Sequence, residues 1–189
     1  ERPICLYVEV ADMNGDGLQD LIVSGAPPAD DEGAGQIEVL VQDPEESNQI
    51  VPWVSLEVAR VDKIVTGDVD DDGYVDLVVG ARQGGQGYAG KAYVYHGSPL
   101  GLGKVATWTA EGDQNYVAFG FAVGTAGDVN GDDYDDFLIG AHGDDEGGNN
   151  VGQTYLILGK DAGWAMDTSL SEADASFWGE DADDWSGYS

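Results

Sequence analysis

Apolar residues in this chain come in short runs that never keep a helical period. Three of the runs are nearly continuous: Leu21-Ile22-Val23-Ser24-Gly25-Ala26, Leu77-Val78-Val79-Gly80-Ala81 and Phe137-Leu138-Ile139-Gly140-Ala141. Each is too short for a stable helix and is bounded by Asp and Gly, so each predicts a strand covered on both faces. A weaker run leads into each of them, at Cys5–Ala11, Lys63–Thr66 and Phe121–Ala126. A third follows a Gly-rich connection, at Gln36–Val41, Lys91–His96 and Gln153–Leu158. Only these third runs alternate clearly, as in Ala92-Tyr93-Val94-Tyr95. A fourth run is the faintest, at Val54–Val58, Ala106–Ala110 and Ala175–Trp178. The pattern predicts an all-β chain built from units of four short strands.

The units keep their period. Asp12, Asp68 and Asp128 stand at matching points, 56 and 60 residues apart. Repeated four-stranded antiparallel units predict the blades of a β-propeller. The expected divisions are blade one at 1–60, blade two at 61–117, blade three at 118–179 and the start of a fourth at 180–189. The last division rests on Trp185-Ser186-Gly187-Tyr188-Ser189, which aligns with Ala118-Phe119-Gly120-Phe121-Ala122. About three blades fall short of the four to eight that close a ring. The remaining blades of a larger propeller, or other copies of the chain, are therefore expected as partners.

Between the first and second strands lies a nine-residue acidic loop, written three times. It reads Asp12-Met13-Asn14-Gly15-Asp16-Gly17-Leu18-Gln19-Asp20, then Asp68-Val69-Asp70-Asp71-Asp72-Gly73-Tyr74-Val75-Asp76, then Asp128-Val129-Asn130-Gly131-Asp132-Asp133-Tyr134-Asp135-Asp136. Side-chain oxygens occupy positions 1, 3, 5 and 9 in every copy. With a main-chain carbonyl at position 7 (Leu18, Tyr74, Tyr134), this is the oxygen array that Ca²⁺ takes. Gly at position 6 permits the left-handed turn that such a loop needs. An EF-hand would place a bidentate Glu at position 12, within a helix. Position 12 here is Val23, Val79 and Ile139, so the expected site is a calcium loop between two strands. Three Ca²⁺ sites are expected.

Phe119-Gly120, the loop from Asp128 and the closing Gly140-Ala141 together resemble the FG-GAP repeat. The resemblance implies a relative of the N-terminal propeller of integrin α subunits, which is seven-bladed, and of bacterial surface proteins. It runs through nearly the whole chain and is strongest in the third unit. The second unit has Val61-Asp62 near the place of Phe-Gly, and Asp133 stands where the third loop would carry Gly. In that family, calcium loops lie on the lower face and partners bind the upper face. The upper-face connections here would be 27–35, 82–90, 111–118, 142–152 and 179–185. They hold the acidic groups Asp30-Asp31-Glu32 and Asp144-Asp145-Glu146. The resemblance also implies an extracellular or cell-surface location, where an Asp-rich site of modest affinity fills with calcium.

Composition narrows the partners. The 189 residues carry 37 Asp and Glu against 7 Lys and Arg, a net charge of −30. Such a chain does not bind nucleic acid, which needs cations to neutralise phosphate. Three acids fall in the first loop and five in each of the other two, so most of the charge is not in the loops and forms a solvated acidic surface. No run reaches the length of a membrane span. Cys5 is the only cysteine, so it forms no internal disulfide, and its neighbours suggest a small buried side chain. No Asn-X-Ser/Thr site and no Arg-Gly-Asp triplet occur, and the first of these absences favours a bacterial source.

Three function classes compete. An enzyme needs a convergent constellation, but His96 and His142 lack a Ser or Cys partner in a recognisable motif, and Ser98 sits in a Gly-Ser-Pro turn. A lectin would use exposed aromatics: Trp164 and Trp185 fall in connections, whereas Trp53, Trp108, Phe177 and Trp178 read as packing. The leading expectation is a calcium-stabilised, non-enzymatic scaffold that binds a protein ligand on its upper-face loops; the alternatives are a carbohydrate-binding propeller and a propeller part, catalytic or not, of a larger secreted enzyme.

Overall fold

The structure is a computed structural model that describes residues 5–25, 35–42, 50–58 and 60–189. The side chain of Cys5 and the acidic group Asp30–Glu32 lie outside the described residues. Within them the chain forms twelve strands. The first four are β1 (Cys5–Ala11), β2 (Asp20–Gly25), β3 (Gly35–Gln42) and β4 (Ile50–Val58). The next four are β5 (Lys63–Gly67), β6 (Asp76–Ala81), β7 (Lys91–Tyr95) and β8 (Trp108–Glu111). The last four are β9 (Ala122–Gly127), β10 (Asp136–Ala141), β11 (Gln153–Ile157) and β12 (Ala175–Trp178). Each group pairs in chain order into one antiparallel four-stranded sheet. The three sheets are consistent with propeller blades. The described helical residues are two single 3₁₀ turns, Gln86–Tyr88 and Leu170–Glu172.

The second strands are the most deeply covered. Every residue of β6 is buried, and so is all of β10 except Leu138. Their opposite faces feed two cores. Leu77 and Val79 pack with Ile22, Ile37, Leu56 and Val61 between the first and second sheets. Val78 packs with Phe119, Phe137, Ile139 and Trp108 between the second and third. Phe119 and Phe137 are fully buried, and burying a side chain of that size contributes roughly 1.5–3 kcal/mol. The first sheet is covered less well, with Val8 and Val10 half exposed on β1. Alternation is also not confined to the third strands. In β4, Val54, Leu56 and Val58 are buried while Ser55 and Glu57 are exposed, because only one face of that strand meets the second sheet.

The leading strands lie side by side: β1 approaches β5, and β5 approaches β9. Neighbouring sheets touch there through main chain. A Cβ added to Gly80 on β6 would collide with the carbonyl oxygen of Gly120, and one added to Gly140 would collide with that of Gly187. Gly120 and Gly187 both have positive φ, at 77° and 79°. The Phe-Gly and Gly-Ala pairs read from the sequence are thus two halves of one contact. In the second unit Val61 and Asp62 take the same places. Val61 is buried, and the Asp62 N–H donates to Gly80 O at 2.8 Å, as the Gly120 N–H does to Gly140 O at 2.9 Å.

The aromatic readings separate here. Trp108 is core, and Trp53 packs against the first core while partly exposed. Phe177 and Trp178 are each 54% exposed, a correction to their reading as packing residues. They sit on β12, the outer strand of the third sheet, and among the described residues no further sheet covers them. Trp164 is corrected in the other direction. Its connection folds back over the junction of the second and third sheets, so the indole packs against the core. Its Nε1 donates to Lys160 O at 2.8 Å, and its ring stacks 6.4 Å from Phe137.

Candidate metal centres

Each acidic loop joins the first strand of a sheet to the second, so all three emerge at the same end of their sheets. A common set of internal hydrogen bonds recurs in all three. The position-1 carboxylate accepts from the N–H of position 5 at 3.1 Å in all three: Asp12 from Asp16, Asp68 from Asp72, Asp128 from Asp132. Its other oxygen accepts from position 6: Gly17 at 2.9 Å, Gly73 at 3.0 Å and Asp133 at 3.0 Å. The position-5 carboxylate accepts from position 7: Leu18 at 2.8 Å, Tyr74 at 2.9 Å and Tyr134 at 3.2 Å. Main-chain amides thereby hold the carboxylates of positions 1 and 5 turned into the loop.

The backbone follows from the residue types. Position 6 is left-handed in every copy, at φ 84° for Gly17 and Gly73 and 75° for Asp133. Asp tolerates that region better than most side chains. Position 4 is left-handed too, in Gly15, Asp71 and Gly131. The sequence reading missed this, although Gly in two of the three copies was a signal.

Position 9 does more than the spacing suggested. Asp20, Asp76 and Asp136 are buried, and each accepts the N–H of position 2: Met13 at 2.9 Å, Val69 and Val129 at 2.8 Å. The second oxygen of Asp76 accepts from Gly97 at 2.7 Å, and that of Asp136 from Gly159 at 2.9 Å. These carboxylates tie the loop to the end of the third strand. The signal that could have found them was Gly97 and Gly159, each just past a third strand.

The second loop is the most crowded. Single ligand atoms of Asp68, Asp70 and Asp72 lie within 4.8 Å of one another, as do those of Asp70, Asp76 and His96. Burial raises the Asp68 and Asp70 carboxyls above the ordinary range, and neighbouring carboxylates add to it. Burial pushes Asp76 up to about 7, against two backbone N–H groups that act the other way. Asp70 Oδ1 is buried without a hydrogen-bond partner. Gathered carboxylates with an orphaned oxygen fit a hard divalent cation, which would neutralise the repulsion and use the spare lone pair. The third loop is open to water, and backbone N–H groups, that of Asp133 first, hold Asp128 below its ordinary range. In the first and third loops Asn at position 3 donates to position 5, Asn14 to Asp16 at 3.0 Å and Asn130 to Asp132 at 2.8 Å.

The opposite end of the sheets carries the 82–90, 111–118, 142–152 and 179–185 connections. Asp144 is buried there and accepts from the Glu146 N–H at 2.9 Å. Tyr88 and Tyr116 stack at 5.9 Å with both side chains exposed. Arg82 lies 5.0 Å over the Phe121 ring, Phe121 meets His142 at 4.5 Å, and His142 meets Tyr188 at 5.3 Å and Trp185 at 5.5 Å. The two histidines are therefore far apart in role: His142 belongs to this aromatic ladder, while His96 faces the second loop.

Comparison with known proteins agrees with the repeat. A family model described as the FG-GAP repeat matches residues 62–95 and 119–157. The chain is 33% identical to integrin alpha-V of Gallus gallus, over 73% of this chain and 15% of that protein. It is 33% identical to integrin alpha-7 of Homo sapiens, over 71% of this chain and 12% of that protein. It is 34% identical to integrin alpha-PS2 of Drosophila melanogaster, over 72% and 11%. The chain thus corresponds to less than a sixth of the length of these relatives.

Proposed function

We propose that this chain, which carries FG-GAP repeats, is a calcium-binding propeller segment of an extracellular recognition scaffold rather than a catalyst. The observation that carries the calcium reading is the recurrence of one set of carboxylate-to-amide hydrogen bonds in three loops at one end of three sheets. Each loop would hold one Ca²⁺. The ligands would be Asp12, Asn14, Asp16, Leu18 and Asp20; Asp68, Asp70, Asp72, Tyr74 and Asp76; and Asp128, Asn130, Asp132, Tyr134 and Asp136. The residues at position 7 would act through their main-chain carbonyls. Bound calcium would pin the turns that set each leading strand against the next, leaving the opposite end free for a partner. The integrin names of the relatives support cell adhesion through a protein ligand, with further repeats or other copies completing the ring.

Calorimetry on demetallated protein tests the reading. Three calcium-binding events with little response to Mg²⁺ are expected, and an absence of calcium heat would overturn it. The exposed Tyr88–Tyr116 stack supports glycan binding as a second reading, since sugars dock on aromatic faces. A glycan array tests that directly. No helix among the described residues is long and apolar enough to cross a membrane.

A further inference from the structure

The second loop differs from its sisters in two coordinated ways. Position 3 is Asp70 rather than Asn, and the residue just past the third strand is His96. Register fixes the comparison. Leu77 pairs with Tyr95, Phe137 with Ile157 and Leu21 with Leu40, so His96 stands where the other sheets have Leu158 and Val41. His96 Nδ1 lies 3.2 Å from Asp70 Oδ2, with both side chains largely buried. Asp70, Asp76 and His96 bring one ligand atom each within 4.8 Å of the others.

We propose that the second loop accepts a borderline first-row transition ion, of the manganese-to-zinc class, in competition with calcium and with His96 as a nitrogen ligand. The proposal rests on the reading of the loops as cation sites. Calcium takes oxygen donors, so an imidazole adds little to a calcium cage. Imidazole with carboxylates suits borderline metals instead. Two donors about 2.1 Å from one ion and near a right angle stand about 3 Å apart, close to the observed Nδ1–Oδ2 separation. Asn14 and Asn130 close their loops internally by donating to Asp16 and Asp132. Asp70 has no proton to donate in that way and turns to the imidazole, while its Oδ1 stays buried and unpartnered. Trp164 meets the His96 ring edge-on at 5.2 Å, which fixes the ring plane and shields that side from water.

The test is Co²⁺ titration of the full chain, read by calorimetry and by hyperfine-shifted imidazole protons in the NMR spectrum. We expect shifted imidazole signals at one Co²⁺ per chain. His96→Leu, which installs the residue of the third sheet, should abolish them and weaken Co²⁺ binding about tenfold or more. His142→Gln should keep the signals, and His96→Gln serves if the leucine variant does not fold. Shifted signals that survive at His96→Leu, or none in the unsubstituted chain, would overturn the proposal. An ion pair alone between His96 and Asp70 would give that second result. Calcium heats without imidazole signals sink only this proposal, whereas imidazole signals without calcium heats sink the calcium reading and the competition with it, and leave His96 as a transition-ion ligand.

Discussion

Asp68 and Asp135 exchange two hydrogen bonds across neighbouring sheets: the Asp135 N–H donates to Asp68 O at 3.0 Å, and the Asp135 carboxylate accepts the Asp68 N–H at 3.1 Å. Asp68 opens the second acidic loop, and Asp135 is the eighth residue of the third. The two loops are therefore held to each other by main chain as well as by packing. Asp135→Ala should lower stability by roughly 1.5–3 kcal/mol, the range for a hydrogen bond to a charged group. It should also reduce any cooperativity between these two loops in a calcium titration. Unchanged melting and an unchanged binding curve would show that the pair carries no coupling.

Calcium removal should destabilise the fold. Binding only to the folded chain adds about 2.7 kcal/mol per site at a hundredfold excess over Kd. EDTA should therefore lower the melting temperature by many degrees, and added CaCl₂ should restore it. A melt indifferent to EDTA would mean that the loops hold their shape without metal.

The contact between Gly80 and Gly120 should tolerate no side chain. A Cβ on Gly80 meets the main chain of Gly120 first, which cannot swing aside as a side chain can. Gly80→Ala should cost about 3 kcal/mol or more, at the upper end for overpacking. Gly124→Ala is the control. It lies in the leading strand β9, where its added Cβ meets nothing within 4 Å, so its effect on the denaturation midpoint should be small. Equal effects would show that the contact is not what holds the sheets.

Acid should weaken the junction near His142. Burial lowers the His142 pKa below its ordinary 6.5, and the Arg82 cation lowers it further. The unfolded chain then takes up a proton below about pH 6.5 that the folded chain refuses. Stability from this group is complete above that pH and is lost as pH falls through and below it. His142→Gln should remove the difference, so the gap in melting temperature between the two proteins should change from pH 7.5 to 5.5. A constant gap would mean that His142 titrates normally in the fold. The ring contacts of Phe121, Trp185 and Tyr188 surround it.

If sheet faces left open seek partners, the purified chain should self-associate. Val8, Val10, Phe177 and Trp178 are half exposed on β1 and β12, and clustered apolar exposure marks interaction surfaces. Light scattering at rising concentration should show mass above the monomer. A monomer at all concentrations would mean that these residues are too dispersed to drive association.

The strands were readable because each needs only a short apolar run between Asp and Gly punctuation. β1 and β12 fall within the residues the pattern names. The loops were readable as a spacing, because positions 1, 3 and 5 act locally. What escaped the sequence depended on distant partners. Asp76 and Asp136 gained their tie to the third strand only once Gly97 and Gly159 came alongside. Trp164 looked exposed because it lies in a connection, yet that connection crosses two sheets. His96 looked like an unattached histidine until the fold brought its Nδ1 to 3.2 Å from Asp70 Oδ2.

The glycine contact between sheets has a geometric consequence. Main chain against main chain leaves no side chain to adjust, so the angle from one sheet to the next is fixed like the pitch of a gear tooth. Substitutions in the connections that leave these glycines in place should then keep neighbouring sheets at the same angle.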